Sequence, residues 1–449
     1  MLSLLADTLT GLLLPMLLLF GGGFLFLRLR GFFLFRPRAC LRLLGRRESG
    51  CDGESPLRAV TVALAGTLGV GNISGVALAL LTGGAGAILY MWIASFLAMA
   101  LKYAEVTLAI SYRRSDGRGG AMYYIEDGLR TPRRYMLARL FAVLLLLAAF
   151  GVGSLVQANA VASALSDTLA IPPLVSGITL ALLTAAVVFG GARKISSVTL
   201  RLVPLMTALY TLMAIVILFV RREALPAAIL QIFREACTPN AAFGGVLGFV
   251  TSRAVRVGCA RGIFSNEAGC GTATVAHAMS DTALPARQGL FGVVEVFVDS
   301  FLLCTLTALA ILVSFPSAET GGAMSLVLAT FAKTYGQYAP YLLAVAVTVF
   351  ALATLLSFAY YGESAVAYLS GRTSHRRLFL ILYVLSPILG ACIGEGAAFS
   401  LTDLVIAGLA AVNTCTVLLL SHRVRAETEA VGLLLPAKKR ERCKKGRKI

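Results

Sequence analysis

The chain has 449 residues, 58% hydrophobic and 14% charged, with a net charge of +18 and a mean hydropathy of +0.84. A water-soluble domain carries about 25% charged residues, so the composition excludes one and indicates an integral membrane protein. The apolar residues fall in solid blocks rather than alternating over ~10 residues, so the spans are helices and not barrel strands.

Eleven transmembrane helices are predicted, at roughly 8–27, 59–80, 86–111, 137–165, 173–191, 202–220, 243–280, 288–314, 339–368, 378–393 and 400–420. No Lys or Arg precedes the first apolar stretch, so we expect a retained helix there and no cleavable signal. With the N-terminus outside, the inward-facing segments hold 31 Lys and Arg and the outward-facing ones hold 4, namely Arg221, Arg222, Arg234 and Lys333. That bias follows the positive-inside rule for an odd number of spans. The tail KKRERCKKGRK, Lys438 to Lys448, then reads as a cytosolic anchor to anionic headgroups and not as a nucleic-acid patch. Nine cysteines, mostly within spans and without a CxxC, read as small buried residues and not as disulfides or a metal site.

The second helix carries GTLGVGNISG, Gly66 to Gly75. Each glycine costs a helix interior about 1 kcal/mol relative to alanine, so Gly69, Val70, Gly71 and Asn72 favour local unwinding. Unwinding at membrane depth frees N–H and C=O groups that hydrocarbon cannot satisfy. Gly71-x-x-x-Gly75 by itself fits helix packing equally well. A dinucleotide-binding loop is excluded because no strand precedes it, and a GxSG nucleophile is a near miss because Asn72 stands at its first glycine. On the third helix Lys102 and Glu105 are spaced to pair along one face, with a proton-relay carboxylate at Glu105 as the alternative.

The seventh helix repeats the anomaly, with Arg261, Gly262, Ser265, Asn266, Glu267, Gly269 and Gly271 at its middle. Ionisable residues at this depth line a cavity or pair with one another. On the eighth helix Glu295 and Asp299 are expected either to pair with Arg256 or Arg261, or to act in gating or coupling. His277 reads as an isolated polar residue.

Beyond the first helix, 59–80 opens one block of five helices and 243–280 opens the next. Five is odd, so the blocks have opposite orientation. Broken helices at matching positions of two inverted halves point to a transporter's binding site. The chain divides into an N-terminal extra helix and basic linker (1–58), a first inverted repeat (59–220), a second (243–420) and a basic cytoplasmic tail (421–449). Half-helix N–H groups suit a carboxylate, and freed carbonyls suit an ammonium or a hard cation such as Na+.

GTLGVGNISGVALAL, KYAEVTLAISYR, GGAMYYI, RGIFSNEAGCGTA, QGLFGVVEVFVDSFLLCTLTAL and YYGE together resemble the alanine/glycine:cation symporter family. The resemblance implies an all-α membrane fold of the amino-acid/polyamine/organocation type. It further implies Na+-coupled, sometimes H+-coupled, uptake of a small neutral amino acid across the cell membrane. By match to the family's motifs, Gly69, Gly71 and Asn72 would meet the substrate carboxylate. Ser265, Asn266 and Glu267 would meet the amino group or shape the second break, and Gln157 and Asn159 would face the cavity. Thr354 would supply a Na+ ligand together with the backbone of Gly69, and Phe358 would bound the substrate side chain. The departures are Ala353 where the family has a second threonine, Phe358 for its tryptophan, Gly153-Ser154 for its GN, and Cys270 and Thr274 in the second break. They favour, as an alternative, an uncoupled or proton-coupled exchanger with a broader side-chain range. An intramembrane enzyme lacks both a nucleophile–base pair and HExxH, and a channel does not call for inverted halves.

Overall fold

The computed structural model of the chain describes residues 13–46, 55–237, 252–315 and 322–434. Helix α1 (Leu14–Arg28) leads into a short amphipathic α2 (Pro37–Leu44). The helix expected over 59–80 is two, α3 (Pro56–Thr67) and α4 (Ser74–Gly83), separated by one 3-10 turn at Val70–Asn72. Then come α5 (Gly86–Ser111), α6 (Ala121–Gly128), α7 (Arg134–Leu169), α8 (Pro173–Val188), α9 (Gly191–Val220) and α10 (Leu225–Ala236). The helix expected over 243–280 is α11 (Arg253–Asn266) and a one-turn α12 (Thr274–His277), while 243–251 lie outside the described residues. The basic tail at Lys438–Lys448 also lies outside them. The chain continues through α13 (Pro285–Ser314), α14 (Ala323–Tyr335), α15 (Ala339–Ser370), α16 (Thr373–Cys392), α17 (Glu395–Leu419) and α18 (Ser421–Ala430).

Seven of the described helices, α5, α7, α9, α13, α15, α16 and α17, are long and apolar enough to cross a bilayer. Five described helices lie where the sequence reading put loops, the linker or the tail: α2, α6, α10, α14 and α18. They are shorter than a membrane span, so a search for spans passes over them. Helix α9 begins at Gly191 rather than 202, so Arg193, Lys194 and Arg201 ride on it. Lys194 Nζ donates to Ala186 O near the end of α8 at 2.6 Å, a favourable position for a cation.

Local signals set several boundaries. Ser55 accepts from Arg58 N ahead of Pro56, and Ser252 accepts from Val255 N, each an N-cap. Gly371, at φ +63°, ends α15. Helix α5 is buried over most of its length between α11 and α13. Glycines permit that approach: a Cβ at Gly258 would lie 2.3 Å from Ala87 O, and one at Gly289 would lie 2.3 Å from Thr107 Oγ1. By contrast α8, α9 and α16 turn Leu182, Leu205, Leu212, Phe219, Leu385 and Leu389 outward. Such a surface is stable against lipid, and the chain is a multi-pass membrane protein.

Candidate functional site

The first break begins where Leu68 leaves the helical region and Gly69 extends, at φ −107° and ψ −161°. Side chains from three other helices meet its freed backbone. Gln157 Oε1 on α7 accepts from Val70 N at 3.1 Å. Thr354 Oγ1 and Ser357 Oγ on α15 donate to Ala65 O at 3.1 Å and Val62 O at 2.8 Å. Thr307 Oγ1 on α13 donates to Asn72 O at 2.8 Å. These contacts supply what hydrocarbon cannot. Gln157 is fixed in turn by donating to Val152 O at 3.1 Å within a π-helical turn of α7, Gly151–Leu155. Gly71 faces Phe264 of α11, whose ring would lie 3.1 Å from a Cβ there. The packing role and the break therefore coincide at this glycine.

The second break starts at Glu267, which is left-handed at φ +51°, and Gly269 and Gly271 follow at φ +86° and +73°. That conformation suits glycine and turns successive N–H groups to one side, an anion nest. The anion is the protein's own: Glu105 Oε2 accepts from Gly269 N and Gly271 N, both at 3.2 Å, and from Asn413 Nδ2 at 2.8 Å. Lys102 Nζ lies 3.7 Å from Glu105 and, closer, 3.2 Å from Glu295 on α13, all three fully buried. Glu295 also meets His277 Nε2 at 2.8 Å, and Gln288 lies 2.9 Å from His277 Nδ1. The expected Lys102–Glu105 pair is thus one edge of a larger network, and His277 is part of it. Glu295 and Asp299 do not pair with Arg256 or Arg261. Arg261 instead pairs with Asp403 on α17 and lies between the rings of Phe264 and Phe399, 5.3 Å from each.

The two breaks meet on Asp299. Its Oδ1 accepts from Asn72 Nδ2 at 2.6 Å and its Oδ2 from Ser265 Oγ at 2.7 Å. Ser300 Oγ adds a third bond at 2.9 Å. Asp299 stands in a π-helical turn of α13, Phe297–Cys304, the kind of local widening that accompanies functional sites. Of the residues chosen from sequence, Gly69, Gly71, Asn72, Gln157, Ser265 and Thr354 come together here. Asn266 is one shell away, bonded to Ser300 Oγ at 3.0 Å and accepting from Ala268 N. Glu267 is buried and accepts from Thr272. Phe358 packs on Gly153, where a Cβ would lie 2.2 Å from its own. Asn159 is elsewhere, donating to Ile393 O at 2.6 Å, because two residues along a helix turn it away from Gln157. The sequence reading offered Asp299 an arginine partner or a gating or coupling role and Glu105 a pair with Lys102 or a proton relay, but it placed neither at a break. Their signal was an acidic residue at membrane depth.

Two helices broken in the buried interior, with freed backbone groups held by polar side chains, define a secondary membrane transporter. A family model described as the sodium:alanine symporter family matches residues 1–442, and the chain belongs to that family. The sodium/alanine symporter AgcS of Methanococcus maripaludis is 37% identical over 394 residues, 86% of either chain. The amino-acid carrier protein AlsT of Bacillus subtilis is 32% identical over 409 residues, 90% of this chain and 86% of that one. The solved structure of MhsT in complex with L-phenylalanine shares the fold, with a TM-score of 0.58 at 15% identity over 87% of this chain and 100% of that one. The family and these relatives are transporters, so the enzyme alternative falls away.

Proposed function

We propose that the protein is a Na+-coupled symporter of alanine, glycine or another small neutral amino acid, working by alternating access in a prokaryotic cell membrane. The working unit in this reading is two inverted repeats, 59–220 and 243–420, flanked by 1–58 and the tail 421–449, with the N-terminus outside and the C-terminus cytoplasmic. Gly69, Gly71 and Asn72 would take the substrate carboxylate, and Ser265, Asn266 and Glu267 the amino group. Gln157 would wall the cavity and Phe358 would limit the side chain, while Asn159, bonded to Ile393 O, has no part in it. Na+ would lie by Thr354 and the backbone of the first break. Thr354 Oγ1, Ala65 O and Gln157 Oε1 gather beside Gly69, and an all-oxygen set suits a hard cation.

The observation that carries this reading is the convergence of both broken helices on one buried carboxylate, Asp299. A packing role alone would not bring together two polar backbone breaks. The second reading, a proton-coupled or uncoupled exchanger, is favoured by Ala353 at the position beside Thr354. Uptake of labelled alanine into proteoliposomes under a Na+ gradient, an H+ gradient or neither separates the two. Uptake driven by Na+ alone supports symport, and counterflow that persists without either gradient supports exchange.

A further inference from the structure

We infer that the cavity between the α6–α7 connection and the junction of α17 with α18 binds the headgroup of an acidic phospholipid, and that this lipid steadies the second helix break. The effect on the break rests on the transport reading above, and the binding itself does not. The cavity has a volume of about 820 Å3, within the range of a small-ligand site. Leu129, Leu419 and Leu420 wall it, and Arg130, Arg134 and His422 bring it positive charge. Both of its flanking segments lie on the face that the Lys and Arg bias predicts to be cytoplasmic.

The charge of this cavity is not balanced from within the protein. Its acidic lining residue, Asp127, is taken by Arg114 at 3.2 Å. Among the described residues neither Arg130 nor Arg134 pairs with a carboxylate. Arg134 holds only its neighbour Tyr135, donating to the hydroxyl at 3.0 Å and lying 4.8 Å from the ring centre. Both arginines stand at the start of α7, where no acidic residue occupies the first turn, so the helix dipole adds to their charge. An anion in the cavity offsets all of these.

The apolar part of the site selects a lipid over free phosphate. Leu419 lines the cavity and also ends a stripe on α17 that runs through Leu401, Leu404, Gly408, Val412 and Cys415. These residues recur every three or four positions and are exposed or half-buried on one side of the helix. A lipid with its phosphate between Arg130 and Arg134 would lay an acyl chain along that stripe. Basic pockets between membrane helices recognise acidic headgroups in this way.

The walls of the cavity lead directly to the second break. Helices α6 and α17 meet where Tyr124 donates to Asn413. Asn413 Nδ2 in turn donates to Gly269 O and to Glu105 Oε2, both at 2.8 Å. A lipid that holds α6 against α17 therefore holds the contact that fixes Gly269.

The test is native mass spectrometry of the purified full chain with phosphatidylglycerol or phosphatidylcholine, alongside alanine uptake in proteoliposomes with and without phosphatidylglycerol. The unaltered protein is expected to retain phosphatidylglycerol in preference and to take up alanine faster in its presence. Arg130→Gln/Arg134→Gln is expected to bind phosphatidylglycerol about tenfold more weakly and to lose the stimulation, with uptake in pure phosphatidylcholine unchanged. Arg130→Gln alone, at an exposed position, should act in the same direction more weakly, and it decides the question if the double variant fails to fold. Arg222→Gln, on the face predicted to be external, should change neither readout. Retention of phosphatidylglycerol by folded Arg130→Gln and double variants at the unaltered level would overturn the inference. So would its complete displacement by inorganic phosphate, since the occupant would then be the free anion. Arginine-dependent retention with uptake indifferent to phosphatidylglycerol would overturn the effect on the break. No alanine uptake from any vesicle, with arginine-dependent retention intact, would overturn the transport reading and leave the lipid site standing.

Discussion

At Gly69 a methyl group would lie 2.7 Å from Thr354 Oγ1 and 3.0 Å from Gln157 Oε1. The backbone there is extended at φ −107°, so alanine meets no conformational barrier and only a steric one. Overpacking of this kind costs about 1–3 kcal/mol. Gly69→Ala is expected to reduce alanine uptake about tenfold at unchanged surface expression, and full uptake would detach Gly69 from the site. Asn72→Leu removes the donor to Asp299 and leaves that carboxylate one bond short, a penalty of about 1–3 kcal/mol for a buried acceptor and more for a charged one. Uptake should be abolished, and uptake at the unaltered level in a folded Asn72→Leu protein would end the proposed site. The sequence marked both residues as anomalies inside an apolar run. What it could not supply was the partner, because Asn72 and Asp299 are 227 positions apart.

Helices α5 and α13 are joined by charge. Lys102 lies between Glu295 and Glu105, with no solvent to take over either carboxylate. Removing one partner of a buried ion pair costs about 3–5 kcal/mol. Lys102→Met should therefore lower the detergent-solubilised melting temperature sharply, and Lys102→Met/Glu295→Gln should recover part of the loss. A double variant whose loss equals the sum of the single ones would show that the two do not interact. The network also steadies the second break, since Glu105 accepts both nest N–H groups. Spacing alone suggested Lys102 with Glu105, as i and i+3 neighbours. The closer contact with Glu295 depends on Gly292 of α13 approaching Lys102, where a Cβ would lie 3.0 Å from Lys102 Cγ. That is a fact of helix packing and not of spacing.

For the whole molecule, the outward leucines of α8, α9 and α16 and the buried course of α5 set which helices line the interior and which face lipid. By the positive-inside rule the Lys and Arg distribution predicts an external N-terminus and a cytoplasmic C-terminus. A fluorescent reporter fused after Ile449 is expected to report a cytoplasmic location, and one fused before Met1 an external one. Both reporters on the same side would break the odd-span topology.

The sequence by itself determined that the chain lives in a bilayer, because hydropathy and charge are local sums. It also located both breaks, because glycine and polar residues inside an apolar block are unfavourable wherever the chain goes. It did not separate short helices such as α6, α10 and α14 from loops, since nothing in a window shorter than a span distinguishes them from connections. Only the tertiary structure decided which groups satisfy the breaks. Glu105 on the second nest, Gln157 at Val70, and Asp299 between Asn72 and Ser265 are choices among many polar side chains at membrane depth. A buried donor or acceptor must find a partner, but which partner it finds depends on how the helices cross.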